Sequence, residues 1–128
     1  MPERLRPAHA AFLAQAGRVE AARSALLGCL PVGRVDPAPI PVGLELVADE
    51  LREVGEQLAT WRVAEVERDW HAVAEAMAEA EAAIPEAHRV AATTRELEEL
   101  LEAVGEVVAP LDAWGAAEQH WLSLRERT

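Results

Sequence analysis

Apolar side chains recur at intervals of three and four residues along most of the chain, which is the spacing of amphipathic helices. In the first such stretch Pro7 falls where a proline suits the first turn of a helix. Its apolar positions are Phe12, Ala16, Val19, Leu26 and Leu30. We therefore predict a first helix over about residues 7–30.

Residues 31–43 interrupt this pattern with four prolines and two glycines. Proline lacks the backbone N–H that helix interiors and paired strands need, so neither element is expected here. Prolines separated by single residues favour an extended, polyproline-like conformation of roughly 3 Å per residue. The segment is therefore predicted to be an extended connector that could carry the chain most of the way along a helix.

The next stretch contains no proline until Pro85, which predicts a second helix over about residues 44–84. Its apolar residues fall into two stripes. The first comprises Val47, Leu51, Val54, Leu58 and Trp61, and the second comprises Val63, Val66, Trp70, Val73, Met77, Ala80 and Ile84. Since two residues turn an α-helix by about 200°, the two stripes lie on different faces. Either the helix bends near Thr60, or its first half packs on the first helix while its second half meets another partner.

Pro85 predicts a short turn, because a proline is well placed to open the following helix. From Val90 onward one heptad register of mainly apolar residues continues through Pro110. A proline that leaves the register unchanged is consistent with a kink or with a short break. We therefore predict a third helix over about residues 86–109, and a fourth helix or kinked continuation over about residues 110–127.

These elements predict an all-α fold in one domain over residues 1–128. The fold is a long antiparallel helical hairpin with the N-terminal helix packed on its open end, giving three to four helices in a bundle-like arrangement. A turn at Pro85 sets Val66 roughly opposite Val104, and the alanine-rich end (72–92) then projects as a two-helix arm. Two helices alone bury too little surface to be stable, so we expect this arm to pair with something.

The charge is acidic and unevenly distributed. Acids outnumber arginines by 23 to 12, giving a net charge of −11, and lysine is absent, a bias typical of a GC-rich bacterial genome. Residues 44–106 hold 17 acids and five arginines. Nucleic acids and anionic membranes require a positive surface, so neither is an expected partner. No apolar run is long enough for a transmembrane helix, and we expect a cytoplasmic protein.

Candidate catalytic and metal-binding residues are sparse. Among the four histidines only His71 has a carboxylate, Glu75, four residues ahead on the same helix face. The single Cys29 excludes an internal disulfide, and neither serine lies in a nucleophile motif. We predict no catalytic residue, no metal and no cofactor. The alternative left open is a small-ligand-binding or metal-binding helical bundle, with or without enzymatic activity.

The four tryptophans are expected in the core, although an exposed tryptophan would be a binding hot spot. The second stripe and the facing positions of the third helix leave apolar flanks that a second copy would bury. The residues predicted for this contact are Val66, Trp70, Val73, Met77, Leu97 and Leu101. We therefore predict a non-catalytic interaction or scaffold protein that acts as a homodimer or with another helical protein. The alternative is a monomer in which the second helix bends near Thr60 and folds back into a compact bundle.

Overall fold

The computed structural model describes residues 1–126, which form helices joined by short turns, with no β-strand in that range. The α-helices are α1 (Arg6–Gly28), α2 (Ile40–Gln57), α3 (Glu67–Thr93), α4 (Leu97–Val108) and α5 (Ala113–Glu126). Short 3₁₀ turns lie at Glu3–Leu5, Leu58–Trp61, Ala64–Val66 and Ala109–Asp112. The prediction of an all-α, bundle-like fold is confirmed. Over the described residues, no helix has both the length and the apolar character needed to span a bilayer.

The helices α1 and α2 form the first antiparallel pair. Arg18, near the middle of α1, bonds to Glu50 at 2.8 Å, whereas Leu26, near the end of α1, packs on Gly43 at the start of α2. Apolar residues of both helices are fully buried along this contact. The first predicted helix therefore packs on the first half of the second, which is one of the arrangements that the change of face allowed.

The second antiparallel unit is a hairpin of α3 against α4 and α5. Asp69, at the start of α3, bonds to His120 in the middle of α5. The N-terminal helix reaches the open end of this hairpin, because the Phe12 ring centre lies 5.6 Å from that of Trp114 on α5. Since α2 also packs on α3, the two units share one core.

The second helix begins at Ile40, earlier than the predicted start at residue 44. Pro39 is its N-cap residue and Pro41 lies in its first turn. The N–H groups of the first turn have no partner within the helix, so proline is tolerated there without losing a hydrogen bond. The predicted connector over residues 31–43 is therefore too long at its C-terminal end.

The second helix predicted over residues 44–84 is interrupted, and the structure has the bend near Thr60 that was one of the two alternatives. The helix α2 ends at Gln57, a 3₁₀ turn follows, and Arg62 and Val63 have extended backbone before α3 begins. A straight helix would leave one of its two apolar stripes in solvent. The break near Thr60 lets α3 fold back on α2, so that both stripes enter one core.

The predicted turn at Pro85 is also wrong, because this proline lies inside α3, which continues to Thr93. The Pro85 ring is exposed, whereas Ile84 and Ala87 on either side of it are buried. A proline within a helix removes one hydrogen bond and costs about 3 kcal/mol, a cost that burial of the flanking turns offsets here. The predicted third helix over residues 86–109 therefore belongs partly to α3.

The chain reverses at residues 94–96 instead. Thr94 has an extended backbone, and its hydroxyl accepts a hydrogen bond from the Glu96 N–H at 3.0 Å and donates one to Glu99 at 2.7 Å. These bonds pair polar groups where α3 ends. With the turn at this position Val66 is not opposite Val104, and the hairpin pairs Asp69 with His120 instead.

The alanine-rich segment 72–92 does not project as an arm. Ala76, Ala80, Ala87 and Ala91 are buried, because α2 covers one side of α3 and α4 the other. Alanine permits the close approach of helices that this packing requires. The reason for expecting an external partner at this end of the hairpin is therefore removed.

Pro110 lies in the 3₁₀ turn Ala109–Asp112, which separates α4 from α5. The turn keeps the apolar register, because Val107 and Leu111 are both buried. Of the two alternatives at Pro110, the structure therefore has the short break and not the kinked continuous helix. The predicted end of the last helix, at residue 127, lies outside the described residues.

Candidate functional site

The six residues predicted to form a dimer contact have different surroundings. Val66, Val73 and Met77 are buried inside the monomer, and Trp70 and Leu97 are half-buried. Leu101 is exposed, with 44% of its surface accessible. Because α3 folds back on α2, the three buried residues are unavailable to a partner, and the predicted contact surface is corrected accordingly.

Trp70 stabilises the junction between α2 and α3. Its indole N–H donates a hydrogen bond to the Leu58 carbonyl at 2.8 Å, and the Arg62 guanidinium lies 4.2 Å from its ring centre. Arg62 also forms an ion pair with Glu67 at 2.7 Å, and its hydrogen bonds hold the pKa of that carboxyl below its usual range. The polar and cationic partners of Trp70 therefore come from this chain.

The other three tryptophans form a buried cluster around Phe12. The centre of the Phe12 ring lies 4.9 Å from that of Trp61, 5.6 Å from that of Trp114 and 6.1 Å from that of Trp121. All four rings are at least 96% buried, Trp114 being the most exposed at 4%. These tryptophans are core residues, as the sequence predicted.

The histidines do not converge on a common site. His9 stacks on Trp121, His71 contacts Glu67 at 3.0 Å, His88 lies 3.2 Å from Glu45, and His120 bonds to Asp69. His71 is thus paired with Glu67, one turn before it in α3, rather than with Glu75, one turn after it. Over residues 1–126 no group of three or more His, Cys, Asp or Glu side chains is placed to hold a metal ion.

Two grooves of similar volume flank the turn between α3 and α4, and their linings differ in charge. The first, the arginine groove, has a volume of about 430 Å³ and contains Arg34 and Arg95 beside an apolar wall. The second has a volume of about 460 Å³ and is lined by Glu86, Glu99, Glu102 and Glu106, with Arg89 and an apolar floor. No carboxylate lines the arginine groove.

The exposed side of α1 carries almost no charge. We call it the α1 outer face, and it comprises Ala10, Leu13, Ala14, Gly17, Ala21, Ser24, Ala25 and Gly28. At about 100° per residue these positions cover roughly a third of the helix circumference, with Arg18 and Glu20 on opposite edges. By contrast, the exposed sides of α2 and α3 carry carboxylates such as Asp49 and Glu79.

Neither the α1 outer face nor the arginine groove is among the surfaces predicted from the sequence. The first has a signal in the sequence, because alanine and glycine occur all around α1 and no charged stripe opposes its apolar one. The arginine groove has no signal in the sequence, because Arg34 and Arg95 line the same groove only when the chain turns at residues 94–96.

Comparison of the chain with protein-family models, with curated proteins and with solved structures found no match in any of the three. The functional conclusions therefore depend on the chemistry and geometry of this chain's own residues.

Proposed function

We propose that this chain is a non-catalytic helical interaction module that self-associates through the α1 outer face. The observation that carries the proposal is the low charge of this face: none of its eight exposed residues is ionisable, and the one ionisable residue of α1 in the same sector is Arg6 in the first turn, in a chain with a net charge of −11. A surface helix usually has a charged stripe on the side opposite its apolar stripe. A helix that is apolar on all sides is usually covered by other parts of the protein or by a partner. Because small and apolar residues occur on both its buried and its exposed side, α1 resembles a helix that packs against other helices on two sides.

A second copy of the chain is the partner that the charge distribution favours. Contact through the acidic faces of α2 or α3 would bring like charges together. The ionic neighbours of the α1 outer face are Arg6 at its N-terminal end and Arg18 and Glu20 at its edges, and Arg18 is already paired with Glu50 and Glu53. Two copies therefore meet with least repulsion through α1, and a two-fold axis would let the same face serve both.

The small residues of this face permit a close helix contact. A Cβ added at Gly17 would have nothing within 4 Å, so the surface is open at its centre. Leu13 and Leu46 lie at its margins with 45% and 40% of their surfaces exposed, and a partner would bury them. One helix pair buries less than the roughly 800 Å² per partner of a standard interface, so we expect a dissociation constant of about micromolar order.

Sedimentation equilibrium over micromolar concentrations tests the proposal. The parent chain is expected to approach the mass of a dimer, and Gly17→Glu to remain a monomer, because it places a carboxylate at the centre of the contact. Gly115→Glu is the matched control: it adds the same charge at an exposed helical glycine of α5 that also has open space around it. This control is expected to dimerise like the parent.

A parent mass of one chain at every concentration would overturn the proposal, as would an unchanged dimer in Gly17→Glu. Equal weakening by Gly115→Glu would show that added charge, rather than the α1 outer face, controls association. Because the whole chain is acidic, association is expected to strengthen with added salt, which screens repulsion over about 8–10 Å.

A further inference from the structure

The arginine groove is lined by two arginines and by no acidic residue, although acids outnumber arginines in the chain by 23 to 12. Within residues 1–126, at least six other arginines form ion pairs, whereas Arg34 and Arg95, like Arg6 and Arg68, form none. We infer that this groove binds a small oxyanionic ligand, a molecule that carries a phosphate or carboxylate group on a short apolar body.

Two nearby carboxylates are bonded to other groups, and Glu96 and Glu98, the acids nearest to Arg95 in sequence, do not line the groove. Asp36 accepts a hydrogen bond from the Ala38 N–H at 3.1 Å, which holds the carboxylate against its own backbone. Glu99 accepts the Thr94 hydroxyl at 2.7 Å. The charged residues that line the groove are therefore Arg34 and Arg95, and neither has an ion-pair partner within residues 1–126.

Backbone geometry places the two arginines. Gly33, which precedes Arg34, has a φ of 88°, in the left-handed region that glycine adopts without strain. Arg95 follows Thr94 in the turn that the hydrogen bonds of the Thr94 hydroxyl define. Two turns from distant parts of the chain thus hold one arginine each at the same groove, so that a ligand meets both without refolding the chain.

The chemistry of the lining determines the class of ligand. A guanidinium group donates two parallel hydrogen bonds to a phosphate or a carboxylate, and such charge-assisted bonds are among the strongest in proteins. Val35, Pro37 and Ala91 supply an apolar wall beside the arginines. The volume of about 430 Å³ falls in the usual range of small-molecule sites.

Amide-resolved NMR titration tests the inference with three probes: inorganic phosphate, pyrophosphate and succinate, each against sodium chloride at equal ionic strength. Saturable shifts are expected at the amides of Arg34, Val35 and Arg95. The Arg34→Gln/Arg95→Gln double variant should bind at least about tenfold more weakly, since it removes both cations. Arg68→Gln, which removes an exposed arginine that also lacks an ion pair among the described residues, should bind like the parent. The probe that binds most tightly distinguishes phosphate from carboxylate recognition.

The absence of saturable shifts with every probe up to about 10 mM would overturn the inference, as would unchanged binding by the double variant. A change of mass in the double variant would assign the arginines to a contact between copies, and would overturn it as well. Repeating the titration on Gly17→Glu separates the result from self-association, because the groove does not include α1.

Discussion

The side-chain oxygen of Gln15 accepts a hydrogen bond from the indole N–H of Trp61 at 3.1 Å. The amide nitrogen of Gln15 donates to the Gln57 carbonyl at 3.2 Å and to the Thr60 hydroxyl at 2.9 Å. Gln15 is buried in α1, yet all three partners lie where α2 ends. Because buried polar groups require partners, this one side chain stabilises the point at which the chain turns from α2 toward α3.

Replacing this glutamine tests that role. Gln15→Met keeps the side-chain length and removes both polar atoms, which leaves the Trp61 N–H buried without an acceptor. We expect the free energy of unfolding to fall by about 1–3 kcal/mol. Guanidinium chloride unfolding, followed by tryptophan fluorescence, measures the change.

Gln119→Met is the matched control, because Gln119 is exposed on α5. Its effect is expected to stay within about 0.5 kcal/mol of zero. If the two substitutions change stability equally, the hydrogen bonds of Gln15 do not stabilise the junction.

The apolar pattern predicted buried residues better than it predicted turns. Val54, Trp61 and Val66 come from both stripes of the supposed second helix, and all three are buried. The change of face between the stripes marked a real break. Yet residues 58–63 contain no proline or glycine, and the group that stabilises the break, Gln15, lies on another helix. No local pattern reveals such a partner.

Pro85 gives a local signal of the opposite kind, because it predicts a turn where the helix continues. It is the strongest local breaker in the middle of the chain, yet the packing of its neighbours keeps it within α3. Thr94, an ordinary residue in sequence terms, makes the turn through hydrogen bonds with Glu96 and Glu99. The arginine groove depends on that turn, so a sequence analysis that placed the turn at Pro85 had no means of finding it.

Gly43 marks a close approach between α1 and α2. A Cβ at this position would lie 3.0 Å from the Cys29 sulfur and 3.2 Å from the Leu26 Cα. Because backbone cannot yield as a flexible side chain does, Gly43→Ala should separate the helices and lower the free energy of unfolding by about 1–3 kcal/mol. Thermal unfolding followed by circular dichroism measures this loss.

Gly105→Ala provides the comparison, because a Cβ at Gly105 meets nothing within 4 Å. Alanine favours a helix over glycine by about 1 kcal/mol, so this variant should be as stable as the parent or more stable. A Gly43→Ala variant that gains stability in the same way would contradict the close contact.

A charge is expected to destabilise the protein strongly at Val73 and only slightly at Leu101, although the sequence assigned both residues to one contact surface. Val73 is fully buried and Leu101 is 44% exposed. Val73→Asp buries an unpaired carboxylate and should cost several kcal/mol, whereas Leu101→Asp should change the free energy of unfolding by less than about 1 kcal/mol. Denaturant unfolding of both variants measures the difference. Similar losses in both would indicate that α3 and α4 pack in another register.

His9 should give the protein a characteristic loss of stability on acidification. Burial, with a smaller contribution from the positive charge of Arg125, lowers the pKa of His9 from its usual 6.5, while Glu118 acts weakly in the opposite direction. The folded chain therefore resists a proton that the unfolded chain accepts.

The sign follows from proton linkage. Well above pH 6.5 His9 is neutral in both states and contributes no pH dependence. As the pH falls through 6.5 the unfolded state binds the proton first, so the free energy of unfolding decreases until the pH passes the lowered pKa of the folded state. His9→Phe keeps an aromatic ring against Trp121 and removes this titration, so the parent should lose more stability than the variant between about pH 7 and pH 5. His71→Phe, at an exposed position of α3, controls for the loss of a histidine and should keep the larger loss of the parent. Parallel curves for the parent and His9→Phe would show that the stack on Trp121 tolerates a charged imidazole.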